Sequence, residues 1–257
     1  MQTTRLRSYI LPRSMEITTL GIFLIAFAAF TIGVSKSGVP GLTILLPPVL
    51  ALVMPVRESI GALLPLLSMG DIIAVLYWRR IASPGELLKI VPSAFVGVVL
   101  GYFLMRIIPN AVFEPLLGWM IVALIAFDLF RRYSKLDLRL ESRGFAMGIG
   151  VLAGMCTMMA NVATPVMAVY LLSMKLKKED FLGTYAWFFL IMNTIKIPFS
   201  AALGLVTWKY FKLDFMMLPV LVAGGLAGGL VVKKLPQRAF EIIIQILAAG
   251  ASVKLIL

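Results

Sequence analysis

Histidine is absent from the 257 residues, which removes the usual general base, proton shuttle and commonest metal ligand. Catalysis of the common kinds is therefore not expected, and neither a catalytic residue nor a metal site nor a cofactor is assigned. The single cysteine, Cys156, can form no internal disulfide and no thiolate cluster, and is read as a small packing residue. Charge is scarce, at 14% of residues, and acids number only 12 against 24 lysines and arginines. There is no phosphate-loop lysine, zinc ligand set, Gly-x-Ser-x-Gly elbow or dinucleotide fingerprint, and Gly224-Gly225 follows no strand. Without an ATPase motif, any uphill movement must draw on an ion gradient or a partner.

What fills the chain is apolar. Hydrophobic residues make up 61% of it, and the mean hydropathy of +0.99 lies far outside the soluble range. The composition is that of a polytopic membrane protein. The net charge of +12 is concentrated in short junctions between apolar runs, which is juxtamembrane anchoring and not a nucleic-acid footprint. Arg5, Arg7 and Arg13 precede a first apolar segment that has no convincing small-residue cleavage site, so it is expected to be retained as a span.

Runs of about 20 residues, enough to cross hydrocarbon roughly 30 Å thick, occur near 16–34, 58–78, 87–107, 110–130, 143–160, 180–206, 213–232 and 239–257. The expectation is an all-α protein of about eight transmembrane helices. Two apolar pieces, 42–54 and 162–174, are too short for an untilted span and read as re-entrant or half-helices. Each follows a polar, small-residue stretch.

The chain also reads as duplicated. Arg106-Ile-Ile-Pro109 with Phe113-Glu114 is echoed by Lys233-Lys-Leu-Pro236 with Phe240-Glu241, each after a glycine-rich helix. Glu58 and Gly61 are echoed by Glu179 and Gly183. This divides the sequence into an N-terminal cytoplasmic segment 1–14, a first repeat 15–130, a basic cytoplasmic linker 131–142 and a second repeat 143–257. Eight crossings would make the repeats parallel; if the short pieces also cross, there are ten spans, five per half, and the repeats are inverted. Repeats flanking a midplane site are the common plan of secondary transporters.

Polar residues within the apolar runs mark candidate chemistry. In Gly33-Val-Ser35-Lys36-Ser-Gly38-Val-Pro40-Gly41, a lysine sits between two hydrophobic segments, and a helix starting at Pro40 or Gly41 would point free N–H groups back toward it. The alternative is a tight turn with a snorkelling lysine. Asp71 lies deep in a span and should face the bundle interior, as a proton carrier or as a structural ion pair. Lys196 lies beside Pro198, which should break or bend its helix, and Asn193 is one turn away. Lys196 either lines a substrate path or pairs structurally with Asp71. Asn161, with Thr157 before and Thr164-Pro165 after, occupies in the second half the place of Ser35–Gly41 in the first. It could bind substrate or hold helices together. Gly183-Thr184 and Trp187-Phe188-Phe189 are weaker signals. Two intramembrane lysines against one intramembrane aspartate favour an anionic ligand.

The ordered set Gly33-x-Ser-Lys-x-Gly38-x-Pro40-Gly41, Pro65, Gly70-Asp71, Asn161-x-x-x-Pro165, Tyr170-Leu171-Leu172, Lys178-x-x-Phe181-x-Gly183-Thr184, Trp187-Phe188-Phe189 and Asn193-x-x-Lys196-x-Pro198 resembles the sulfite exporter TauE/SafE family. Many members have a longer glycine run where this chain has Ser35-Lys36-Ser37, and Ala160 and Ala163 flank Asn161 where glycine would be expected. The resemblance implies a duplicated helical transporter of the cell inner membrane that exports sulfite, organosulfonates or similar small anions. It implies a substrate pocket of Ser35, Lys36, Gly38, Asn161, Thr184, Asn193 and Lys196. Gly41 joins them from the reading of the first polar stretch, and Asp71 is expected to couple transport to a proton or other gradient. The expected partners are a small anion and the lipid bilayer, with a homodimer open and no nucleic acid. A transporter or channel for another organic anion, or a membrane-embedded sulfur-handling component, are the alternatives. Substrate, direction, coupling ion and the number of crossings stay open.

Overall fold

The computed structural model describes residues 19–37, 41–78, 82–133, 143–174 and 176–231. The segment 1–14, the linker from 134 onward, the terminal run 239–257, the Lys233–Glu241 echo and Gly38 lie outside them. Among the described residues every regular element is helical. In chain order these are α1 (Thr19–Lys36), a 3-10 turn (Leu42–Leu45) leading into α2 (Leu46–Leu50), α3 (Val56–Trp78), α4 (Pro84–Ile107), α5 (Asn110–Tyr133), α6 (Arg143–Ala160), α7 (Thr164–Ser173), α8 (Lys178–Ala202), α9 (Trp208–Met216) and α10 (Leu218–Val231).

Four of these helices, Thr19–Lys36, Val56–Leu76, Pro84–Ile107 and Asn110–Phe127, are long and apolar enough to cross a membrane. The pair α9 and α10 makes a fifth if counted as one span bent by 49°. That bend falls inside the run 213–232, which reads as one helix in the sequence. Pro219, second residue of α10, has no N–H to continue the ladder, and the Met217 amide instead closes α9 on the Leu213 and Asp214 carbonyls. Pro198, by contrast, does not break its helix: α8 runs through it to Ala202. The 42–54 piece is shorter than its hydrophobicity suggests, because Pro47 and Pro48 fit only a helix's first turn and the chain turns out after Leu50.

Small residues set the packing. A β-carbon on Gly33 of α1 would overlap the Leu221 carbonyl of α10, and one on Gly154 of α6 would overlap the Ala94 carbonyl of α4. These pairs approach backbone to backbone, with van der Waals contact supplying the attraction that apolar transfer cannot give within lipid. Both run parallel: Phe30 meets Gly224 and Val34 meets Gly228, while Ile90 meets Gly150 and Met158 meets Gly101. Between them, α3 and α8 run antiparallel. Gly61 near the start of α3 abuts Leu205 just past α8, and the Ser83 amide just past α3 donates to Thr184 near the start of α8, 2.9 Å away. Large apolar side chains such as Phe23, Leu88, Ile107, Trp119 and Leu226 point outward, the surface a hydrocarbon solvent requires.

Candidate functional site

Midway along the antiparallel pair, α3 and α8 bring their polar side chains together. Asp71 is fully buried and forms an ion pair with Lys36, the last residue of α1, whose own side chain is 9% exposed. Gly70 makes the approach feasible, since a β-carbon there would meet Ile32 at 2.8 Å and the Lys36 stem at 3.3 Å. The Lys36 ammonium also lies 5.0 Å from the Phe189 ring centre, a cation–π position.

Asp71 uses its second oxygen as well. Asn193 of α8 donates its amide Nδ2 to Asp71 Oδ2 at 2.5 Å and accepts at Oδ1 from the Lys196 ammonium at 3.0 Å. The amide is thus oriented by the charges on either side of it, nitrogen toward carboxylate and oxygen toward ammonium. Lys196 completes its three donor positions on Asn161 Oδ1 at 2.6 Å and Thr157 Oγ1 at 3.1 Å. It is 1% exposed, and all three of its acceptors are neutral. A ligand drawing on this ammonium therefore has to replace one of those oxygens.

Asn161 is held in the left-handed region at φ 57°, where its amide N–H closes α6 on the Thr157 carbonyl. Asparagine is one of the few side chains that tolerate this conformation. The same turn swings its side chain back into the bundle, where Nδ2 donates to the Ile60 carbonyl of α3 at 2.9 Å. One residue therefore ends α6, ties it to α3 and anchors Lys196. Beside it, Thr164 at the start of α7 and Tyr185 of α8 share a hydrogen bond of 2.7 Å.

Taking 1.5 Å per residue, Asp71 is about 15 Å along α3 from Gly61, and its partner Asn193 is about 14 Å along α8 from both Thr184 and Ala202. The network therefore lies near the middle of this helix pair. Counted as ordinary charges, it holds two ammonium groups and one carboxylate. A polytopic helical protein with an excess cation at mid-depth narrows the class of molecule, and comparison with known families decides it: the model of the sulfite exporter TauE/SafE family matches residues 24–255. The chain belongs to the TauE/SafE family. No curated protein and no solved structure matches it.

TauE/SafE proteins are membrane transporters of sulfite-exporter type, and this multi-pass member carries most of the residues singled out in its sequence at one place. Lys36, Asp71, Asn161, Asn193 and Lys196 form one connected chain of contacts. Ser35 is buried in the last turn of α1 beside them, and Gly41, at φ 109°, opens the 3-10 turn facing Thr164. Thr184 stands apart. It is about 18 Å along α8 from Lys196, and its hydroxyl accepts from the Ser83 amide while donating to the Asp180 carbonyl. Asp71 contacts Lys36 directly, while Asn193 stands between it and Lys196. Thr157 and Phe189 are the contributors that spacing underrated. Thr157 lies one helical turn before Asn161 on the same face of α6, which is the signal that could have found it.

Proposed function

We propose that this protein exports small sulfur-containing anions, sulfite and organosulfonates, across the cell inner membrane, using the Lys36–Asp71–Asn193–Lys196 cluster as its substrate site. One observation carries this reading: among the described residues the cluster holds two little-exposed lysines and a single carboxylate, which pairs with Lys36 and leaves Lys196 with neutral acceptors alone. An anion about 4 Å from the uncompensated ammonium gains about 4 kcal/mol at an effective dielectric constant near 20. That corresponds to millimolar affinity before any other contact, a useful strength for a carrier that must also release its cargo.

The transport cycle draws on inverted repeats. Asp71 and Asn193 are 122 residues apart, and in this reading they are each other's counterparts in the two halves. Glu58 and Glu179, one repeat apart at nearly the same interval, do likewise near the starts of α3 and α8. Equivalent helices that run antiparallel, and parallel pairings α1 with α10 and α4 with α6 that exchange partners between halves, support an inverted relation with five segments per half. In that scheme the site lies on the pseudo-twofold axis, and rocking of one half against the other exposes it to each side in turn. Coupling runs through Asp71, the one carboxylate in the cluster.

The test is uptake of labelled sulfite and small organosulfonates into proteoliposomes of purified protein, with and without a pH gradient, comparing wild type with Lys36→Ala and Lys196→Ala. Saturable flux lost in the lysine variants is the expected result. Absence of flux for every anion tried would remove the substrate assignment, and flux that never saturates and survives both substitutions would make the protein a channel.

A further inference from the structure

We infer that Asp71 is a charge adapter: it occupies Lys36 as a resident counter-anion when the cargo is a monoanion, and takes up a proton to release Lys36 when the cargo is a dianion. The inference rests on the reading of the cluster as the substrate site and extends it to the charge and proton count of the cargo.

It follows from counting charges in a closed space. Asp71 is 0% exposed and Lys196 1% exposed, so the loaded site has little water to screen an imbalance. A buried net charge is costly, and the state that crosses between the two sides is favoured when cargo and site sum to zero. With Lys36 paired to Asp71, the remaining charge is the Lys196 ammonium, and one monoanion neutralises it. A dianion leaves one negative charge in excess unless another cation is freed.

The geometry supplies that cation. Asp71 Oδ1 is bound by Lys36 and Oδ2 by the Asn193 amide, and among the described residues the carboxylate is the one partner holding the Lys36 ammonium by full charge. Protonation at Oδ1 ends the ion pair while leaving Oδ2 to accept from Asn193. Lys36 and Lys196 then face the cargo as two cations from opposite ends of the Asp71–Asn193 bridge. The groups facing Asp71 from neighbouring elements are Lys36 on α1, and Lys196 and Tyr185 on α8. The acid at the other end of α3, Glu58, bonds Tyr210 of α9 about 20 Å along the helix from Asp71 and does not take part.

The empty site returns with the Lys36–Asp71 pair restored and its one remaining charge, the Lys196 ammonium, held by the oxygens of Thr157, Asn161 and Asn193 in place of cargo, so the proton leaves with the dianion. Each turnover then moves one net negative charge whichever cargo is carried: a monoanion alone, or a dianion with one proton. An outward monovalent anionic current is the direction favoured by an inside-negative membrane.

The experiment uses the full chain in proteoliposomes, with a trapped pH dye and a potassium diffusion potential, and two labelled probes that hold their charge between about pH 6 and 8: methanesulfonate, a monoanion, and sulfoacetate, a dianion. The expected result is one proton moved per sulfoacetate and none per methanesulfonate. Sulfoacetate affinity alone should fall, by up to about tenfold per pH unit, once Asp71 is ionised in the empty carrier. Asp71→Asn should abolish proton movement and the pH dependence of sulfoacetate, while Asp71→Glu keeps both. Equal proton counts for the two probes, sulfoacetate immobile at every pH while methanesulfonate moves, or proton movement persisting in Asp71→Asn would overturn the inference. The wild-type proton count decides it even if neither variant folds. Sulfite and both probes all failing to move would instead overturn the transport reading on which it rests.

Discussion

Asn161 offers a test in which backbone and side-chain effects separate. Two substitutions remove its amide, Asn161→Gly and Asn161→Ala. Both leave Lys196 without its 2.6 Å acceptor and the Ile60 carbonyl without its donor. A hydrogen bond to a charged group contributes about 1.5–3 kcal/mol, so each variant should lose about 2 kcal/mol on this account. The variants differ in the backbone. At φ 57°, alanine incurs a left-handed penalty of about 1–2 kcal/mol that glycine escapes. Glycine gives back about 0.4–1 kcal/mol through its freer unfolded chain. The net expectation is that Asn161→Gly is the more stable by about 0.5–1 kcal/mol, or about 2–4 °C in melting temperature per kcal/mol for a chain of this size. The assay is thermal unfolding of the purified protein in detergent, with anion affinity measured on the same samples. Both variants should bind anion more weakly, because the ammonium loses its fixed position. If Asn161→Ala melts at or above Asn161→Gly, the left-handed turn does not select this residue; if both keep wild-type affinity, Asn161 does not anchor Lys196.

Further predictions concern residues with separable roles. Thr184→Val should lower stability by about 1 kcal/mol, the usual net worth of a hydrogen bond, with the KM for transported anion unchanged, since its hydroxyl serves the Ser83 amide and not the lysine cluster; a raised KM would return it to the site. Phe189→Leu should keep the fold but weaken the hold on Lys36 by about 0.5–2 kcal/mol, read as a change in KM of roughly 2- to 30-fold. Gly154→Leu should abolish folded protein, because its added side chain would overlap the α4 backbone, whereas Gly144→Ala, with nothing within 4 Å, should be neutral or raise stability by about 0.5–1 kcal/mol. Monodisperse yield in size-exclusion chromatography distinguishes these last two.

Much of the cluster was legible because lipid makes polar residues conspicuous. A lysine, an aspartate or an asparagine within an apolar run is costly enough to require a partner, so Lys36, Asp71, Asn161, Asn193 and Lys196 could be picked out without knowing what they touch. Thr184 entered the expected pocket through the family resemblance and not through this cost, and its hydroxyl bonds to backbone near the start of α8, a use that threonine fills as readily as ligand binding and that one sequence cannot tell apart. Thr157 and Phe189 went underrated for the converse reason. Threonine and phenylalanine cost little in an apolar helix, so nothing in their type announces a contact with an ammonium.

The sequence by itself determined that the chain is helical and membrane-embedded, where most helices run, and which residues could not face lipid, because hydrophobic length and the cost of buried charge are local properties. It also carried the family, since the ordered motifs span nearly the whole chain. Tertiary structure decided the partners. That Asp71 holds Lys36 and reaches Lys196 only through Asn193 depends on α3 and α8 crossing antiparallel at that level, and on Gly70 letting Lys36 in. Such pairings join residues 35 and 122 positions apart, set by how helices pack around one another, a property no single helix's pattern contains.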